Sequence, residues 1–224
     1  MSERLSKYLA FQLGVSRREA DGLIEHGHVA VDGQKAVLGA RFEEGSAITV
    51  KGKPIQTGES KQYIMLNKPI GYLSSRKSQG GDPTIYDLLP EQYHVLKPVG
   101  RLDKNSSGLI LLTNDGDFAY EMTHPKFYKV KKYEITLDEP LAPLNQQMIN
   151  DHGIQLEDGE SKLTLERVDD TRLHWIVTMH EGRNRQIRRT FGAIGYEVTA
   201  LHRTNFGNFA LGDLKSGAFE TVSL

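Results

Sequence analysis

One aspartate stands out in this chain as a candidate for chemistry. The segment Val99-Gly100-Arg101-Leu102-Asp103-Lys104-Asn105-Ser106-Ser107-Gly108 sets a single carboxylate in a glycine-bounded loop of small polar residues, with the apolar run Leu109-Ile110-Leu111-Leu112 directly behind it. A carboxylate presented this way can serve as a nucleophile or a base. Taken alone, the loop equally suits a turn in which Asp103 hydrogen-bonds its own backbone. No second carboxylate lies near enough in sequence to suggest a glycosidase pair, although the fold could supply one.

The other chemistry-bearing groups are cations. Lys61, Lys68, Arg76 and Lys77 fall in residues 61–77, Lys126, Lys129, Lys131 and Lys132 in 126–133, and Arg183, Arg185, Arg188 and Arg189 in 183–189, none of these stretches containing an acid. One such cluster reads as solvated surface, and three weaken that reading. Cysteine is absent, which removes thiol nucleophiles, disulfides and thiolate zinc sites. The eight histidines are scattered with no HxxxH or HExxH pattern, so no metal site is expected. A GxGxxG or Walker loop is also missing.

Length and composition bound what surrounds these groups. The 224 residues suffice for a small domain joined to a medium one, and 38% hydrophobic with 25% charged residues is ordinary for a globular chain. With 28 basic against 29 acidic residues the net charge is −1, so only the local distribution of charge is informative. No stretch approaches the roughly 18 apolar residues of a membrane span. Arg4, Lys7 and Gln12 interrupt any secretory leader, and a cytoplasmic location is expected.

Leu5, Tyr8, Leu9 and Leu13 recur at helical spacing before Gly14, and Ser16-Arg17-Arg18-Glu19 is a capping box opening a second helix with Ala20, Leu23 and Ile24 facing inward. Val29-Ala30-Val31 followed by Asp32-Gly33 predicts a strand entering a hairpin, with Ile48 to Val50 returning. Arg4, Lys7, Arg17 and Arg18 are expected on the outer faces of the two helices. A polar, aperiodic stretch then marks a linker, giving domains at 1–56 and 62–224 joined by residues 57–61.

Beyond it, strands are predicted over Gln62 to Leu66 before an Asn67-Lys68-Pro69 turn, over Leu109 to Leu112, Leu163 to Val168 and Leu173 to Met179, and at Phe219 to Val222. Helices are predicted from Pro143 to Ile149 and from Asn184 to Ile194. In the latter helix Ile187, Phe191 and Ile194 form an apolar stripe opposite Arg185 and Arg189, with Arg188 at the boundary where it can face a cleft. Strands that are not regularly interleaved with helices indicate an α+β fold with a mixed, mainly antiparallel sheet.

RLSKYLAFQLGVSRREADGLIEHGHVAVDGQ resembles the S4 RNA-binding domain, a small α/β module that presents basic groups to RNA backbone. GRLDKNSSGLILLTNDG, with LNKPIGYLSS, KVKKYEITL and EGRNRQIRRTF, resembles the catalytic domain of bacterial ribosomal pseudouridine synthases of the RsuA family, which also carry an N-terminal S4 domain. Together the two resemblances span nearly the whole chain.

The resemblance implies the following roles. Asp103 is the catalytic carboxylate, attacking the substrate or removing a C2′ proton. Arg101 takes the place of the displaced uridine, Tyr133 packs on the flipped base, and Arg188 pairs with Asp103. Gly100 shapes the loop, and Leu201 in ALHR lies beneath the base. Arg4, Lys7, Arg17, Arg18, Lys68, Arg183, Arg185 and Arg189 are the expected RNA contacts. The implied reaction isomerises uridine to pseudouridine in ribosomal RNA, with EGRNRQIRR and KNSSG leaning toward the large-subunit branch. It consumes neither cofactor nor water. The expected partner is ribosomal RNA or a pre-ribosomal particle, and the expected state is a monomer. Two other readings stay open: a non-catalytic ribosome-assembly or RNA-binding protein on the same scaffold, and a hydrolase releasing free uracil.

Overall fold

The structure is a computed structural model that describes residues 3–43, 45–55, 61–78 and 80–224. Residues 57–60 of the expected linker lie outside them. The chain packs as two units, one comprising Met1–Gln62 with Val95–Lys97 and Thr113–Asp117, the other Tyr63–His94, Pro98–Leu112 and Phe118–Leu224.

The first unit contains helices α1 (Leu5–Gln12) and α2 (Arg17–Glu25) and a four-stranded sheet. Ser16 Oγ accepts from Glu19 N at 3.1 Å while the Ser16 amide donates to the Glu19 carboxylate at 2.7 Å, the reciprocal cap the sequence predicts. Strands β1 (Val29–Val31) and β2 (Gln34–Lys35) turn through Asp32 and Gly33, whose φ values of 49° and 80° suit a two-residue hairpin. Strand β3 (Ile48–Val50) returns antiparallel to β1, and β4 (Lys53–Pro54) pairs with β3. Leu5, Leu9, Ala20, Ile24, Val29 and Ile48 make the core.

The other unit is built on a mixed sheet. Its strands are β5 (Tyr63–Lys68), β6 (Ser107–Thr113), β7 (Lys131–Leu137), β8 (Thr164–Arg167), β9 (His174–Met179), β10 (Val198–Phe206) and β11 (Phe219–Thr221). They run in the order β8-β9-β7-β10-β6-β5-β11. The contact of β10 with β6 is parallel, whereas β7 is antiparallel to both β9 and β10. Leu109 to Leu112 are all buried, so β6 is a central strand covered on both faces, as its unbroken apolar run implies. Helices α4 (Pro143–Gln147) and α5 (Gln186–Gly192) belong to this unit, as does α3 (Gly116–Thr123) from Phe118 onward.

Two sequence expectations change here. Strand β5 runs on through Asn67 and Lys68, both buried, where a turn is predicted. Helix α5 begins at Gln186 rather than Asn184, because Arg185 adopts the left-handed conformation at φ 48°. Among the described residues no helix is long and apolar enough to cross a membrane.

Candidate active site

The loop before β6 is fixed from beneath. Lys68, fully buried at the end of β5, donates from Nζ to the carbonyls of Ser106 (2.7 Å), Asp103 (3.0 Å) and Pro69 (3.1 Å). Ser74 Oγ donates to Leu102 O at 2.8 Å and accepts from Leu102 N at 3.1 Å. Gly71 N donates to Lys104 O at 2.8 Å. Gly108 closes the loop where β6 meets β10: a Cβ there would lie 2.3 Å from the carbonyl oxygen of Arg203, and φ is 106°. Glycine is required on both counts.

Burial pulls the pKa of Lys68 down to about 8, opposed by the charge of Asp103. This corrects one expectation. Lys68 belongs to a basic cluster and is expected among the RNA contacts, yet its ammonium is consumed by three carbonyls and is shielded from any phosphate.

So held, Asp103 turns its half-buried carboxylate toward a cleft of about 570 Å³, lined also by Gly100, Arg101, Tyr133, Arg185, Arg188 and Leu201. Tyr133 and Leu201 are each 7% exposed. Across the β7–β10 ladder Tyr133 stands opposite Arg203, and Leu201 opposite Ile135. Arg101 is exposed at the cleft.

The guanidinium nearest Asp103 differs from the expected one. Arg185 Nη1 lies 3.5 Å from Asp103 Oδ2 and donates to Asn105 Oδ1 at 3.3 Å. Arg188 donates instead to the carbonyls of Asn105, at 2.8 Å, and Val198. Its charge still acts on Asp103 through space, while burial and the neighbouring Arg185 lower its pKa. The left-handed turn at Arg185 accounts for the exchange, since it re-aims the residue that a continuous helix would hold off the cleft.

Arg183 and Arg189 are also committed elsewhere. Both bind the Asp158 carboxylate, Arg183 at 2.9 Å and Arg189 through two bonds of 2.8 and 3.0 Å, and the Arg189 bonds, helped by the charge of both arginines, hold the Asp158 carboxyl below the usual range. Arg183 further donates to the carbonyls of Gly159 and Glu160. They brace the turn before α5 and have little donor capacity left for a phosphate. In the first unit Lys7 is similarly engaged, with Nζ 2.6 Å from the Asp117 carboxylate, whereas Arg4, Arg17 and Arg18 are exposed. Arg4 occupies the N-cap position of α1, ahead of the helix, with no capping bond from its side chain.

Among the cleft residues that sequence reasoning missed are two buried cations, Lys131 and Arg203, at 8% and 2% exposure. The available signal was position: Lys131 precedes Tyr133 by two residues and so shares its face of the strand.

Comparison with known proteins agrees with this architecture. Residues 62–193 match the family model described as RNA pseudouridylate synthase, and residues 3–48 match the S4 domain. The chain is 37% identical to ribosomal large subunit pseudouridine synthase B of Bacillus subtilis (strain 168), over 96% of this chain and 90% of that protein. It is 34% identical to ribosomal small subunit pseudouridine synthase A of Yersinia pestis, over 94% of this chain and 90% of that one. A crystal structure of a pseudouridylate synthase superposes with a TM-score of 0.70 at 30% identity, covering 98% of this chain and 96% of the other.

Proposed function

Because the chain belongs to the RNA pseudouridylate synthase family, we propose that it isomerises a specific uridine of ribosomal RNA, in the large subunit rather than the small, with Asp103 as the catalytic carboxylate. The observation that carries this reading is the Asp103 side chain, open to a cleft, 3.5 Å from Arg185 and sharing that cleft with the Tyr133 ring. Relatives of both subunit names match at similar identity, so the leaning to the large subunit rests on the EGRNRQIRR and KNSSG segments.

A uridine within paired RNA is inaccessible and must be swung out, at a cost of a few kcal/mol that falls when it lies in a loop. Arg101, exposed at the cleft, fills the vacated place in the stack. The Tyr133 ring is a stacking platform worth about 1–3 kcal/mol per base, and stacking is indifferent to rotation of the uracil in its own plane. Leu201 packs the cleft beside it. Arg185 and Arg188 set two positive charges beside the Asp103 carboxylate, where the sugar would lie. Net, the N1–C1′ bond breaks, C5 bonds to C1′, and the proton lost from C5 is balanced by one gained at N1.

Asp103→Asn preserves shape and removes the charge. It is expected to lower pseudouridine formation by at least about 10³-fold, with RNA affinity within about threefold of wild type. Pseudouridine mapping of rRNA from a strain lacking the gene, complemented with either form, reads both the target and the loss. Undiminished modification by the variant would remove Asp103 from the chemistry. Release of free uracil would mark a hydrolase, and RNA binding without isomerisation by wild type an assembly factor.

A further inference from the structure

Two cations on the floor of the cleft make no salt bridge among the described residues. Arg203, on β10, is 2% exposed; its Nε donates to Leu109 O at 2.7 Å, but its Nη2 is buried without a hydrogen-bond partner. Lys131, on β7, is 8% exposed and has only a 3.4 Å contact with Lys129 O. Both sit on the Phe206 ring, Arg203 Cζ at 4.8 Å and Lys131 Nζ at 5.2 Å from its centre. The acid that faces Lys131, Glu181, is already bound by Arg183 at 3.2 Å and by the Gln186 amide. Burying like charges together without a salt bridge is costly, and a ligand that brings negative charge would relieve that cost.

The depth of the pair narrows what that ligand is. A phosphodiester is bulky and solvated and is met by exposed cations at a rim. A base swung into the cleft reaches the floor. Lys131 is two residues from Tyr133 on the same face, and Arg203 is the cross-strand partner of Tyr133. A uracil stacked on the Tyr133 ring therefore turns its polar edge to both cations.

We infer that Lys131 and Arg203 bind the carbonyl oxygens of the flipped uracil and stabilise the negative charge that the ring carries while it is detached from the sugar. When N1–C1′ breaks, the bonding pair stays with the ring and spreads over N1, O2 and O4. Cations already in position act on that charge without reorganising. The charge is neutralised when C5 bonds to C1′, and the proton then lost from C5 is matched by one taken up at N1. The inference rests on the isomerase reading and assigns the groups that lower the barrier to breaking the bond.

Burial, and then the charge of Arg203, bring the pKa of Lys131 to about 8, opposed by Glu181, so the ammonium is present below that pH. Lys131→Met keeps the stem and removes the charge. It should lower kcat about 10²- to 10³-fold with RNA Kd within about threefold and a melting temperature that does not fall. Lys131→Arg should restore much of kcat and move the alkaline fall of the wild-type pH profile upward. Retention of kcat within about threefold in Lys131→Met would overturn the inference. So would a weakened Kd with a salt slope smaller by about one and kcat intact, the signature of a backbone phosphate contact. If Lys131→Met does not fold, identical pH profiles for wild type and Lys131→Arg overturn it instead. Failure of wild type to form pseudouridine in rRNA is a different result, and it removes the isomerase reading itself.

Discussion

Arg17 and Arg18 of the S4-like unit and Lys68 of the catalytic unit are alike in sequence, each a cation in a locally basic stretch, yet their environments are opposite. The arginines occupy the first turn of α2, whose other face buries Ala20 and Ile24, and both are exposed. Lys68 ends a strand that is buried along nearly its whole length, and its side chain goes inward to three loop carbonyls. A cation's fate is thus set by the periodicity of its element: an amphipathic helix exports it, and a strand covered on both faces imports it wherever unpaired carbonyls wait.

The largest expected effect lies where the catalytic loop joins the sheet. Gly108→Ala forces a Cβ against the Arg203 backbone at a φ that L residues avoid, and neither wall is a flexible side chain. Destabilisation of about 4 kcal/mol or more is expected, in the range reserved for overpacking combined with backbone strain. Urea unfolding measures it. Near-native stability would mean that the parallel β6–β10 contact can open, and the inward-facing half of the comparison would lose its rigid frame.

Lys68→Met comes next. It fills the same volume and strands three carbonyls, at about 1–3 kcal/mol each, offset in part because no ammonium must then be desolvated. A net loss of about 2–4 kcal/mol and at least tenfold in turnover is expected, with little change in the salt dependence of RNA binding. Because Lys68 titrates near 8 in the fold, the unfolded chain holds a proton that the native one has lost between about pH 8 and 10.4. Its contribution to stability therefore rises with pH across that window, and the gap between wild type and Lys68→Met should widen. Unchanged stability with a lost phosphate contact would reverse the assignment.

What the sequence disclosed follows the same division. The capping box at Ser16 and Glu19, the Asp32-Gly33 hairpin and the apolar strand behind Asp103 are local signals, and all three are present in the fold. The continuation of β5 through Asn67 and Lys68 is not local, because a turn-like composition is outweighed by burial in the sheet. Arg185 reaches Asp103 only because a left-handed residue starts α5, and no spacing rule foretells a positive φ at an arginine. Lys131 and Arg203 meet through the pairing of two strands far apart in the chain. Lys131 by itself reads as one charge of a basic stretch, and nothing in the sequence around Arg203 marks it as facing the cleft.

The smallest effect tests the outward-facing half. Arg17→Ala with Arg18→Ala leaves the cap and the buried face of α2 intact, so stability should change by less than about 0.5 kcal/mol. If both side chains neutralise RNA phosphates, the slope of log K against log salt should shrink by about 1.4 to 1.8, while kcat at saturating RNA stays put. Arg189→Ala is the matched control, since its guanidinium is already spent on Asp158. It should leave the slope nearly unchanged and act on turnover through the turn that carries Arg185. Equal slopes for the two variants would mean that exposure in the free protein does not decide which cations meet RNA, and the contrast between exported and imported charge would then describe folding alone.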